Sequence, residues 1–533
     1  MPGIQMFGIN RQKVWSCAVM LVLIAARLPA LTGTINLSQD ACEYIDIARN
    51  LAAGEGLTLK IRAYFFDDGL GLPFPAMSLR SPWFPLLMGS LYALLSSDLV
   101  FQWLNFGLFL ANIFLLYLII TPLLPPMLAL YALLLAGLAE SMFLTSIFPW
   151  AEQSAFFWLL LAVLMAGREL HRRWGVAGAA LEGLVAALAG LSRPEYLLVG
   201  VPFFIWLARS GRRRAAGCTV FLAAYLLPFV AVSAVNAHLY GRTFLPGDYL
   251  FRSRHYGAYF SWGGEGRPSA AEFVTSNWLW VFQRTFHNAA NYLAKLAGWK
   301  NLFALAAALP LVFWKGIRGR YDWRTRHLAL VAAVFLFSYC LVWGGIDRER
   351  YLLPVTTFLL PLCLLEVDKW RTGARRAWVR SIWLAVMFAN LPLYLANTVH
   401  AGMAIQSRAG LGERFYASAN PAWNNPDLED LASWVRAHVR DGEALCVVLP
   451  EGMAPDRFTR FLDEYGVRYW VNNTLFTKRS PQYLEGLEQA VRAAGAQEVA
   501  RLGPYRVWRL PLEQNRSRML RNVGDEFSQM KLR

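Results

Sequence analysis

The sequence predicts a polytopic α-helical membrane protein with about eleven spans, one further short interfacial or re-entrant helix and a small α/β domain at the C-terminus. Three observations predict it. The 533 residues are 56% hydrophobic and only 17% charged, where a soluble chain carries about a quarter charged residues. The apolar residues gather in stretches close to the ~20 residues that cross a hydrocarbon core. Lys and Arg fall in short runs between those stretches, and beyond residue 427 the chain turns polar and mixed.

The stretches are 15–33, 83–97, 99–120, 124–139, 152–167, 176–192, 196–208, 217–236, 299–314, 327–345, 351–366 and 380–398. The first follows Arg11 and Lys13 and has no clear small-x-small cleavage site before Thr32, so it reads as an uncleaved span rather than a removed leader. Basic connections mark the cytoplasmic side, and four qualify: 168–173, 209–214, 315–326 and 369–380. With Arg11 and Lys13 also inside, an even number of crossings must separate the N-terminus from Arg168, yet five stretches lie there. The weakest, 83–97, is therefore assigned to the surface or a re-entrant loop. This puts the N-terminus in the cytoplasm and the C-terminus outside.

The expected organisation is a membrane domain over 1–400 with external loops at 34–81 and 237–298, a linker at 401–426 and an extracytoplasmic α/β domain over 427–533. Pro421, Asn424, Asn425 and Pro426 mark the linker. After it, helix-like stretches at 427–440, 455–465 and 481–494 alternate with strand-like runs at 445–449, 467–471 and 506–510.

Composition narrows the function classes. The net charge of +16 sits in the connections and reports orientation, so no nucleic-acid partner is expected. Cys17, Cys42, Cys218, Cys340, Cys363 and Cys446 form no CxxC pair, which argues against a disulfide framework or a zinc site. His238, His255, His287 and His400 lack HxxxH or HExxH spacing, and no Walker, GxSxG or GxGxxG context appears. A zinc hydrolase, an ATP-driven pump and a dinucleotide enzyme are thus unsupported.

The chemistry concentrates in the external parts. Asp40 and Glu43 share a helix face just after the first span, and Ile47 and Leu51 continue an apolar stripe expected to lie on the membrane. A carboxylate desolvated there is suited to deprotonate an acceptor; an ordinary acidic helix start explains the same pattern. Arg80 precedes Ser81-Pro82-Trp83, either as a site cation or snorkelling to headgroups. Glu152 stands at the outer end of a span, and Arg193 and Glu195 stand between two spans, as site residues or as a mutual ion pair. Arg350 and Tyr351 open a span, and the second loop offers Arg254 and His255 with neighbouring tyrosines; such arginines suit a lipid-linked phosphate or anionic headgroups.

Taken in order, Asp40 with Glu43-Tyr44, Ala48 to Leu51, Gly54-Glu55-Gly56, Arg80 to Pro85, Glu152, Gly190 to Glu195 and Arg350 to Pro354 resemble the GT-C superfamily of polytopic glycosyltransferases. The likeness is to the family 39-like group of protein O-mannosyltransferases and lipid A aminoarabinose transferases, over roughly residues 10 to 400. The resemblance implies a hexosyl or pentosyl transfer, with inversion, from a polyprenyl-phosphate sugar donor to a lipid, glycan or protein acceptor outside the cytoplasm. It implies Asp40 as general base with Glu43 beside it, and Arg350 and Tyr351, joined by Arg80 and Arg193, at the donor phosphate. Glu152, Arg254 and His255 are further candidates.

Relatives often carry adjacent acids in the first loop, whereas Glu43 lies three residues on, so the choice of acid and any divalent metal stay open. Asp67 and Asp68 form a rival pair in a Gly- and Pro-rich turn. The expected location is the bacterial inner membrane. The alternative function is a transporter or flippase of a lipid-linked glycan, which predicts symmetric halves, broken helices and intramembrane charges; a scaffold displaying the C-terminal domain is a third reading.

Overall fold

A computed structural model describes residues 11–31, 39–59, 74–75, 80–97, 99–210, 214–240, 278–297, 321–342, 349–369, 444–446, 467–473, 481–502 and 505–511, with isolated positions between them. Arg254, His255, the Asp67-Asp68 pair, the linker 401–426 and most of the stretches 299–314 and 380–398 lie outside the described residues. The chain divides into two compact units: residues 1–256 with 268–406, and residues 257–267 with 407–533.

The larger unit is helical. Three of its described helices hold a stretch long and apolar enough to cross a bilayer: α5 (Leu99–Ile120), α12 (Arg214–Tyr240) and α14 (Trp323–Val342). Two further helices, α6 (Pro126–Leu138) and α7 (Glu140–Ile147), pass the same test only together and bend by 60° at the break between them. Shorter apolar helices complete the bundle, among them α1 (Arg11–Ala25), α8 (Glu152–Gly167) and α10 (Val176–Ser192). The stretch expected to run from 15 to 33 stops at Ala25 and resumes as the single turn α2 (Leu28–Leu31), where Pro29 has no N–H to continue the ladder; Arg27 lies between them, fully buried. The stretch at 196–208 is likewise divided into a 3-10 helix (Pro194–Val199) and α11 (Gly200–Ser210).

The segment in doubt, 83–97, is α4 (Trp83–Leu95), 13 residues. At 1.5 Å per residue it reaches about 20 Å, well short of the ~30 Å hydrocarbon thickness. It lies against α3 (Gln39–Ala52): Tyr44, Ile45 and Ala48 of α3 pack with Phe84 and Met88 of α4 and with Phe101 and Ala151. Of the stripe expected on the membrane surface, Ile47 is fully buried and Leu51 faces Gly89 of α4. Gly89 makes the approach possible, since a Cβ there would fall 2.6 Å from Leu51 Cδ2 and 3.1 Å from the Ala48 carbonyl oxygen. Between the two helices the chain folds back through an antiparallel pairing of β1 (Thr58–Leu59) with β2 (Phe74–Pro75), and Asn50 Nδ2 donates to the Thr58 carbonyl at 3.0 Å.

The smaller unit contains a four-stranded sheet ordered β3-β4-β6-β5, where β3 is Ala444–Cys446, β4 Val467–Asn473, β5 Gln497–Leu502 and β6 Tyr505–Arg509. β3 runs parallel to β4; the other pairings are antiparallel. Alternation separates its faces. Trp470 and Trp508, paired in register, are buried, as are Leu487 and Val491 of α16 (Pro481–Ala493), and Arg492 of α16 lies over the Trp508 ring. Tyr469, Val471 and Val507 pack with Trp434, Val435 and Val439. β5 has no counterpart in the sequence reading, because its mostly exposed residues show no apolar alternation.

Candidate active site

Two buried arginines organise the site, each between two carboxylates. Arg80, 7% exposed, reaches back to the first turns of α3. Its Nη2 lies 2.7 Å from Asp40 Oδ1 and its Nε 2.6 Å from Glu43 Oε2. Its guanidinium carbon stands 5.2 Å from the Tyr44 ring centroid. The three residues can converge because positions three and four apart on a helix share a face. Asp40, Glu43 and Arg80 are in direct contact. Arg80 does not snorkel outward.

Arg193 caps the C-terminus of α10 in extended backbone, φ −148° and ψ 134°, as a residue before proline prefers. Its Nη1 lies 2.5 Å from Glu152 Oε1, at the start of α8, and its Nη2 2.9 Å from Glu195 Oε1. The mutual pairing with Glu195 is therefore present, and Glu152 joins it. The guanidinium carbon is 5.4 Å from the Tyr351 ring centroid. The Glu195 carbonyl accepts a hydrogen bond from Ser338 of α14 at 3.2 Å, which ties this centre to a spanning helix.

The two centres share one electrostatic environment. Burial pushes the Tyr44 phenol above its ordinary value, and the charges of Arg80, Arg193, Glu152 and Asp40 all act on it. Burial opposes the charge of Arg193, but Glu152 and Glu195 outweigh it and hold the guanidinium above its usual value. With one cation and two acids apiece, each centre carries a formal net charge of −1, so an incoming phosphate must exchange with a carboxylate for its arginine. Beside Arg80, Ser81 Oγ and Trp83 Nε1 are buried donors with no hydrogen-bond partner among the described residues.

The remaining candidates are placed unevenly. Arg350 lies in a 3-10 turn, Glu349–Leu352, leading into α15 (Leu353–Asp368), next to Tyr351; its side chain is outside the described residues. Arg254 and His255 are not described at all. Among the described residues no three His, Cys, Asp or Glu groups come together as a metal site, and a divalent ion at either carboxylate pair would have to displace an arginine. Sequence reasoning gave no role to Tyr44, although its position one helical turn after Asp40 was the available signal, nor to Tyr339, whose ring lies 6.1 Å from that of Tyr351.

No protein-family model matches the sequence, and neither does any curated protein. Solved structures do match. ArnT from Cupriavidus metallidurans in the apo state superposes with a TM-score of 0.53 at 14% identity, over 94% of this chain and 98% of that one. ArnT from the same organism bound to undecaprenyl phosphate gives 0.50 at 13% identity, with the same coverage of both chains. The archaeal oligosaccharyltransferase AglB from Archaeoglobus fulgidus, in complex with an inhibitory peptide and a dolichol-phosphate, gives 0.54 at 13% identity, over 95% of this chain and 74% of that one. The arrangement of helices along nearly the whole chain is the one these proteins share, and the protein has the GT-C fold.

Proposed function

We propose that the protein is an integral membrane glycosyltransferase that moves a hexosyl or pentosyl group, with inversion, from a polyprenyl-phosphate donor to an acceptor outside the cytoplasm. The observation that carries this reading is the pair of buried arginine–dicarboxylate centres around Tyr44, on a fold that ArnT shares. That neighbour has been captured with undecaprenyl phosphate, and AglB with a dolichol-phosphate. Both support a lipid-linked donor.

In this reading Asp40 is the base. It is 8% exposed against 1% for Glu43, so it is the acid better placed to meet an acceptor. It takes the proton from the acceptor hydroxyl or amine as that atom attacks the anomeric carbon. The bond from that carbon to the phosphate oxygen breaks, and the polyprenyl phosphate leaves with the electron pair. Arg193, faced by Tyr351 and joined by Arg350, holds the phosphate, and Arg80 stabilises the charge between base and leaving group. Ser81 and Trp83 can donate to ligand oxygens nearby. The N-terminus is read as cytoplasmic in a bacterial inner membrane, with residues 427–533 forming a domain on the outer side.

The test is transfer by purified Asp40→Asn protein from a polyprenyl-phosphate sugar. A loss of about 10²–10⁴-fold with unchanged expression is expected; undiminished transfer would remove the mechanism. One observation favours the alternative of a lipid-linked glycan flippase: the bent pair α6–α7 with the buried Arg27 beside it. Translocation of a fluorescent lipid-linked glycan across proteoliposomes, without sugar transfer, would decide for it.

A further inference from the structure

A helix broken inside a bilayer leaves carbonyl groups that lipid cannot satisfy, so protein must supply the donors. Arg27 and Asn105 supply such donors around α7. Arg27 bridges the bent pair: its Nη2 donates to the Gly137 carbonyl near the end of α6 at 2.5 Å, and its Nε donates to Ser146 Oγ near the far end of α7 at 2.7 Å. Its guanidinium carbon lies 3.8 Å from the ring centroid of the buried Phe109, a cation–π contact.

At the far end, the side-chain amide of Asn105, from α5, points its two N–H groups at three carbonyls, those of Thr145 (3.2 Å), Phe148 and Trp150 (2.9 Å), one hydrogen being shared. Gln153 reinforces the turn, donating to Thr145 Oγ1 at 2.7 Å while its own Oε1 accepts from Asn112 at 2.7 Å. This turn delivers Glu152 to Arg193. The flank of α7 also packs against the 3-10 turn 349–352, which presents Tyr351 to the same arginine. One half-helix thus bears on two of the groups around Arg193.

We infer that α7 is the positioning element of the Arg193 centre, and that Asn105 is its positioning residue, acting through Glu152 on the arginine that holds a polyprenyl phosphate. This rests on the function proposed above. Nothing in it requires Asn105 to touch the ligand.

The test is a double-mutant cycle on the full-length protein in detergent, with undecaprenyl phosphate as the probe and its dissociation constant read by microscale thermophoresis. Asn105→Leu and Glu152→Gln should each shift the dissociation constant by about tenfold in the same direction, and the double variant should bind within about twofold of Glu152→Gln alone. A merely structural amide would instead give factors that multiply, or would lower the melting temperature while leaving binding as in the wild type; either result overturns the inference. Should Asn105→Leu not fold, Asn105→Ser, which keeps one donor, enters the same cycle and is read by the same criterion. A wild-type protein that does not bind undecaprenyl phosphate sinks the proposed function and this inference with it, whereas binding with multiplying factors sinks this inference alone.

Discussion

Arg80 and Asp40 form a buried ion pair at 2.7 Å, with Glu43 on the same guanidinium. In the proposed mechanism Asp40 would meet its acceptor already oriented. Orientation comes from α3 and from the return of the chain into α4, two elements that share one apolar core.

Removing that cation leaves two buried carboxylates facing each other. Breaking a buried pair by deleting one partner costs about 3–5 kcal/mol, so Arg80→Ala should lower the melting temperature in detergent and abolish transfer. Arg80→Lys keeps the charge but cannot span two acids from one planar fork. It should fold better than Arg80→Ala and still transfer sugar at least about tenfold more slowly than wild type.

Gly89 sets the spacing of that helix pair. Gly89→Ala places a methyl group 2.6 Å from Leu51 Cδ2, an overpacking that costs about 1–3 kcal/mol. Leu51→Ala on the same chain should recover part of the loss, although the Ala48 carbonyl at 3.1 Å remains. Thermal unfolding of the three variants measures this; a double variant no more stable than Gly89→Ala would exclude the contact as the cause.

Alkaline stability carries the signature of Tyr44. Burial raises its phenol above the ordinary value near 10, so between that value and the folded one the native state keeps a proton that the unfolded chain gives up. Stability then falls as pH rises, by up to about 1.4 kcal/mol per pH unit for one group. Tyr44→Phe should make this decline shallower between about pH 10 and 11 in denaturation curves. An unchanged slope would mean that other groups carry it.

Arg193 predicts the opposite kind of result. Its acid partners hold it protonated well above the usual value, so its charge is constant across the working range. Affinity for undecaprenyl phosphate should therefore show no loss between about pH 7 and 10 attributable to this guanidinium. An Arg193→Lys protein, whose ammonium titrates near 10 when unperturbed, should lose affinity toward the upper end of that interval.

What the sequence made legible was chemistry and periodicity; what it hid was partnership. The acids of α3 and the basic residue before Pro82 can be recognised by type, yet nothing in their spacing says that the loop between them closes on itself. Arg27 disappeared inside a stretch whose average is apolar, although a lone cation at that depth is informative by itself. The stretch 124–139 is α6, but its bent continuation α7 is not legible in the sequence, because Glu140, Ser141, Thr145 and Ser146 interrupt the apolar run. Edge strand β5 escaped for the converse reason: its exposed residues show little of the pattern that marks a strand.

The two arginine centres also differ in how the chain supplies them. Arg80, Asp40 and Glu43 come from one contiguous stretch of chain, α3 to the start of α4. Arg193, Glu152 and Tyr351 arrive on separate helices, and any relative slide of those helices is felt at the guanidinium. The first centre is a property of local folding; the second is a gauge of how the bundle is assembled.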